Sequence, residues 1–234
     1  MFYGTIAGFA LASLVWSLLA WPLYHVLPRR LGTRVGQAVI RAGFRYVLGS
    51  MRLAGLFKLD LSALDAVRDE AAVVVAPNHP TLLDAVLVIS RLPRVVCITK
   101  ASIWDNPCLG GGARLAGYIR NDTPHLLIRR AARAVADGNQ LLIFPEGTRT
   151  VRPPVNAFKG GFAVMARKGG APIQTVFLET SSPYLSKGWF FLKMPAFPVA
   201  YRATLGRRFT AAADTEAFLA ELETYYRREL GARL

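Results

Sequence analysis

The 234-residue sequence predicts an α/β domain with a largely parallel central sheet flanked by helices, preceded by an N-terminal membrane-associated helical segment. Two observations carry this. From Ala71 onward, short β-branched runs alternate with helical-looking segments, the order expected of a parallel sheet with crossover helices. Before that, Met1 to Pro28 contain no Asp, Glu, Lys or Arg, which is long enough for the roughly 20 residues that cross a bilayer. The chain divides accordingly into anchoring helices over 1–58 and an α/β domain over 59–234.

In the first segment, Trp16, Trp21 and Tyr24 cluster toward the end, where aromatic rings favour the headgroup level. Arg29 and Arg30 follow at once. By the positive-inside rule the body then lies on the cytoplasmic side of the membrane, the inner membrane in a bacterium. Pro22 leaves two forms open, a full span or a half-inserted helix. Next, Arg34, Arg41, Arg45 and Arg52 project within about 40° of one line on a helix. Such a stripe suits an interfacial helix whose arginines meet lipid phosphates.

In the body, strands are expected at 71–76, 94–98, 141–144, 172–178, 189–193 and 199–204. Helices are expected at 82–90, 124–136 and 158–167. Asp214 reads as the cap of a closing helix with Phe218, Leu222, Tyr225 and Leu230 along one side.

Composition narrows the partners. Lys and Arg number 29 against 15 Asp and Glu, a formal charge of +14 that suits a polyanion. The mean hydropathy of +0.29 and the lack of any helix-turn-helix, zinc or RNA-binding signature favour membrane lipids over nucleic acid. Cys97 and Cys108 form no disulfide framework and read as reduced packing residues. With three histidines and no HExxH or Cys-His spacing, neither a metal nor a bound cofactor is implied.

Two segments carry chemistry. Asn78-His79-Pro80-Thr81-Leu82-Leu83-Asp84 sits where a strand turns into a helix, and places a histidine five residues before an aspartate. A histidine can accept a proton near neutral pH while a carboxylate orients its ring and stabilises its cation. The second segment, Pro145-Glu146-Gly147-Thr148-Arg149-Thr150, follows the strand that ends at Phe144. Charged groups at a strand's carboxyl end stand where open α/β sheets bind ligands.

Taken together, these segments resemble the glycerolipid acyltransferases, the 1-acylglycerol-3-phosphate acyltransferase family. Asn78-His79 to Asp84 is similar to the family's catalytic block, and Phe144 to Arg149 to its acceptor-binding block. Thr99-Lys100 with Pro107 and Gly110, then Phe158-Lys159-Gly160, then Ala171-Pro172-Ile173, are similar to its other blocks, in the same order. The family has Ile-Asp-Arg after an apolar pair, whereas this chain reads Gly117-Tyr118-Ile119-Arg120-Asn121-Asp122, so Arg120 stands in a shifted register.

The resemblance implies transfer of an acyl group from acyl-CoA or acyl-carrier protein to a hydroxyl of a lysophospholipid acceptor such as 1-acylglycerol-3-phosphate, in phospholipid biosynthesis. His79 would be the general base and Asp84 its partner, with Asn78 or a backbone N–H steadying the oxyanion. Glu146, Gly147, Thr148 and Arg149 would receive the acceptor, Glu146 taking hydrogen bonds from its hydroxyls and Arg149 its anionic headgroup. Lys100 and Arg120 are further candidates for that pocket. Other readings stay open at this stage: a different hydroxylated acceptor, such as an ornithine lipid or glycolipid, or a non-catalytic acyl-lipid binder. A hydrolase is disfavoured because no Gly-x-Ser-x-Gly elbow occurs.

Overall fold

A computed structural model describes residues 2–190 and 193–232. Seven strands form one sheet in the order β1-β7-β6-β2-β5-β3-β4. They are β1 (Phe57–Asp60), β2 (Val74–Pro77), β3 (Val95–Thr99), β4 (Ile119–Arg120), β5 (Gln140–Leu142), β6 (Ile173–Thr180) and β7 (Val199–Phe209). Every neighbouring pair is parallel except β6 and β7. The helices are α1 (Phe2–Val26), α2 (Arg29–Leu53), α3 (Asp84–Arg91), α4 (Ala101–Trp104), α5 (Gly110–Leu115), α6 (Pro124–Ala136), α7 (Gly161–Gly169) and α8 (Thr215–Gly231). A 3₁₀ segment, Ser62–Val67, links β1 to β2.

Both faces of the sheet are buried, and the strand period of two sorts side chains between them. Val75, Val95, Cys97, Leu142, Val176 and Leu178 face one core with α2, α3 and the start of α1. Val74, Val96, Leu141, Ile173 and Phe177 face the other, with α6, α7 and α8. This explains why the central strands read as continuous apolar runs rather than as alternating ones.

Local chemistry sets the helix ends. Pro124 opens α6, where its missing N–H costs nothing. Asp214 caps α8 by accepting from the N–H groups of Glu216 and Ala217. Gly170, left-handed at φ 64°, closes α7.

The structure moves several expected boundaries and adds elements. The first expected strand begins only at Val74, and β7 continues to Phe209, where it pairs with Ile173. The helix expected from Leu82 starts at Asp84, because residues 78–83 form the turn that presents His79. The one expected from Phe158 starts at Gly161. Of the strand expected at 189–193, Phe191 and Leu192 lie outside the described residues, and Trp189, Phe190 and Lys193 belong to no strand. Unforeseen elements are β1, β4, α4, α5 and the 3₁₀ segment.

Helices α1 and α2 form a hairpin laid against the body. Phe2 packs on Tyr184 and Phe197, and Ser17 Oγ accepts the Gly111 N–H at 2.8 Å. Glycine permits these approaches: a Cβ on Gly111 would come within 2.2 Å of the Ser17 carbonyl, and one on Gly36 within 2.4 Å of the Ala116 nitrogen.

Candidate active site

Strands β2, β5, β3 and β4 all point their carboxyl ends to one edge of the sheet, and the predicted site residues gather there. At the centre is the turn after β2. His79 Nδ1 lies 2.7 Å from Asp84 Oδ2, the histidine side chain 15% exposed and the aspartate 1%. Asp84 Oδ2 also accepts the Thr81 N–H at 2.7 Å, and Oδ1 accepts the Thr81 hydroxyl at 2.7 Å. Burial pushes the Asp84 carboxyl above its ordinary range, and the bonds from His79 and Thr81 pull against that shift.

With the ionised carboxylate accepting at Nδ1–H, the lone pair of His79 falls on Nε2. Among the described residues Nε2 has no hydrogen-bond partner. The Phe144 ring stacks on the imidazole, centroids 3.7 Å apart and planes within 13°, which fixes the plane in which Nε2 is presented. This arrangement can take a proton from a group arriving at the sheet edge and hold the resulting cation.

The neighbouring loop after β5 pins the turn on both sides of His79. Glu146 Oε1 accepts the His79 N–H at 3.0 Å, and Thr150 N–H donates to the His79 carbonyl at 2.7 Å. Both oxygens of Glu146 also accept from the Thr150 hydroxyl, and Oε2 accepts the Asn156 N–H at 2.8 Å. The structure commits the Glu146 carboxylate to these backbone and side-chain bonds. Buried to 1% exposure, its carboxylate ties loops together and has no lone pair aimed at a ligand. Gly147, at φ 67°, supplies the left-handed turn that this loop needs, and Thr148 is half-buried beside it.

Arg149 Nη1 donates to the carbonyls of Leu185 and Ser186, each at 2.9 Å. Leu185 sits at φ 59°, a conformation that costs a β- or γ-branched residue about 1–3 kcal/mol. Arg149 and the Leu82 N–H, which donates to the same Leu185 carbonyl at 3.0 Å, hold it there. The Asn78 amide bridges to β6, its Nδ2 donating to the Leu178 carbonyl and its Oδ1 accepting the Leu178 N–H.

Lys100 and Arg120 stand apart from this cluster. Lys100 is exposed beyond β3, two strands from β2, and Arg120 is a third strand away, about 14 Å at the ~4.8 Å spacing between strands. Arg120 is occupied by Asp122 at 2.8 Å and Asp105 at 3.2 Å. Neither cysteine belongs to the site: burial pushes the Cys97 thiol up to about 12, far from a reactive thiolate. Among the described residues no three His, Cys, Asp or Glu side chains gather as a metal would require.

Sequence reasoning missed Thr81, Thr150, Asn156 and the ring of Phe144. Thr81 alone left a trace, three residues before Asp84 at the helix start.

The sequence model of the Acyltransferase family matches residues 58–179, which hold His79, Asp84, Glu146 and Arg149 but not Leu185 and Ser186. The chain belongs to the acyltransferase family. Among its relatives, the 1-acyl-sn-glycerol-3-phosphate acyltransferase of Limnanthes alba is 27% identical over 191 residues, 79% of this chain and 63% of the plant protein. Human lysophosphatidylcholine acyltransferase 1 is 30% identical over 185 residues, 69% of this chain and 32% of the human one. The chain thus spans somewhat under two thirds of the plant protein and a third of the human one. Its fold matches the crystal structure of the 1-acyl-sn-glycerophosphate acyltransferase PlsC from Thermotoga maritima, with a TM-score of 0.67 over 97% of this chain and 92% of that one, at 15% identity.

Proposed function

We propose that the protein transfers an acyl group from a thioester, acyl-CoA or acyl-carrier protein, to the hydroxyl of a lysophospholipid, with 1-acylglycerol-3-phosphate as the leading acceptor. The observation that carries this reading is the His79–Asp84 pair with Nε2 unpartnered at the sheet's carboxyl edge. The plant relative's name supports this acceptor, and the human relative's name supports the wider lysophospholipid class. Nε2 takes the acceptor's hydroxyl proton as that oxygen attacks the thioester carbonyl. The tetrahedral intermediate then expels the thiolate, and the imidazolium returns the proton to sulfur. Asp84 steadies the cation between the two transfers. The substrate supplies the nucleophile, so no acyl-enzyme forms.

In this reading Glu146 and Thr150 are positioning residues that fix the His79 backbone, and Arg149 sets the 183–186 turn as the wall of the acceptor pocket. Because Arg120 is held by two aspartates, a hydroxylated acceptor without a phosphate is the second reading.

The membrane is the place of action. Helix α1 is apolar enough to cross it, yet it touches the body from Phe2 to Ala20, about 27 Å at 1.5 Å per residue. A helix bound along that length favours insertion from the side, with the body at the surface. The arginines that follow α1 favour the cytoplasmic surface.

The test is acyl transfer by the full chain in detergent, wild type beside His79→Ala, with both donors and a panel of phosphorylated and uncharged acceptors. The variant should lose about 10²–10⁴-fold in turnover. Equal rates in the two proteins would reject His79 as the base, and transfer only to uncharged acceptors would favour the second reading.

A further inference from the structure

A second cavity lies at the opposite edge of the sheet, where the ends of α2, β1 and α3 meet. Its volume is about 320 Å³. Arg45 and Arg52 of α2, Ser90 and Arg91 of α3, and Asp60 and Ser62 beside β1 line it. Arg41 and Arg68 stand close enough for their charges to act on one another. Three of the four arginines of the stripe predicted on α2 therefore converge here.

The carboxylates nearby are already taken. Asp60 pairs with Arg202 at 3.4 Å and accepts the Ser62 hydroxyl, and Asp65 pairs with Arg91. Among the described residues Arg41, Arg45, Arg52 and Arg68 make no ion pair, and Arg41 Nε is buried without a hydrogen-bond partner. Six guanidinium groups thus face two carboxylates. Burial, and then Arg68, Arg45 and Arg91, hold the Arg41 guanidinium below its ordinary range. Like charges gathered in this way repel, and a bound anion would relieve them.

We propose that this cavity binds a phosphate group, carried by a lipid headgroup or free in solution, at a site separate from His79. Guanidinium forks match phosphate oxygens in pairs. The space equals roughly ten water volumes at ~30 Å³ each, which suits a phosphate with its ester carbons but not a whole lipid. Helix α3 separates the two sites, carrying Asp84 at one end and Arg91 at the other, about 11 Å apart along its axis. The inference does not depend on the acyl-transfer reading, and its test uses no turnover.

The experiment compares three full-length proteins in detergent: wild type, Arg45→Ala/Arg52→Ala, and a control, Arg129→Ala/Arg133→Ala, that removes two exposed charges from α6. Unfolding temperature is read with inorganic phosphate against chloride at equal ionic strength. Phosphate should raise it by several degrees in wild type and control, and should have lost that effect in Arg45→Ala/Arg52→Ala. Flotation on phosphatidylcholine vesicles with and without phosphatidylglycerol then separates the sources. A headgroup ligand predicts that Arg45→Ala/Arg52→Ala loses at least about tenfold of the extra affinity for anionic vesicles relative to the control. A soluble phosphate predicts equal flotation with the phosphate response still lost. No phosphate-specific rise in wild type, or equal loss in both double variants, overturns the proposal.

Discussion

Asp84 is a charge held almost out of water by three hydrogen bonds, and its substitution separates charge from geometry. In Asp84→Asn the amide oxygen can accept from His79 and the Thr81 N–H, while the new NH₂ donates to the Thr81 hydroxyl. The turn should therefore keep its shape, while the imidazolium loses its counter-charge. We expect turnover to fall about 10²–10⁴-fold with little change in KM, measured as initial rates over acceptor concentration. The effect on stability has a sign of its own. Because the folded-state value of Asp84 is raised, the native protein keeps a proton that the unfolded chain has released. Its contribution is fully present below the ordinary carboxylate range and is lost as pH rises through the raised value. Across that window the denaturant midpoint of the variant should improve relative to wild type. A gap that stays constant with pH would contradict the burial argument.

At the scale of elements, α5 is the saddle on which both N-terminal helices sit. Its Gly110-Gly111-Gly112 run allows backbone contact with Trp104, Ser17 and the Trp16 ring. Gly111→Ala gains helix propensity, worth about 1 kcal/mol, but pushes a methyl into the Ser17 carbonyl. Overpacking of about 1–3 kcal/mol should win. The expected result is a melting temperature lower by several degrees, with faster proteolysis within α1; an unchanged melting curve would mean that α1 docks elsewhere. This saddle also shows what the sequence conceals. Three consecutive glycines argue against a helix, and only the neighbours they admit make one worthwhile. β1 and β4 were hidden for another reason, being four and two residues long and mixing charged with apolar side chains. Helix α6 was legible to both ends because Thr123-Pro124 and Asp137-Gly138 bound it. At the site, His79 and Asp84 were readable because they are close in sequence. The contacts of Glu146 and Arg149 were not, since their partners lie 67 and 36 residues away.

For the whole molecule, the outer side of α1 leaves several large apolar side chains uncovered. Leu18, Leu19 and Trp21 are 65%, 56% and 58% exposed. Exchanging these three for Ser, Ser and Asn removes membrane-seeking surface without touching the buried Ser17 and Ala20. The variant should move from the membrane pellet toward the soluble fraction while its melting temperature stays near wild type. Retention in the pellet would assign membrane attachment to the arginines of α2 and the rest of the +14 body.

The sheet order also bears on how the chain is made. Among the described residues strand β1 pairs only with β7, which emerges from the ribosome roughly 140 residues later. At about 5–20 residues per second, the N-terminal hairpin and β1 wait some 7–30 s for their partner. Until residues 110–115 and then Tyr184 emerge, α1 has no body to cover it. If the bilayer meets α1 at that stage, the body would assemble afterwards onto a helix already lodged there.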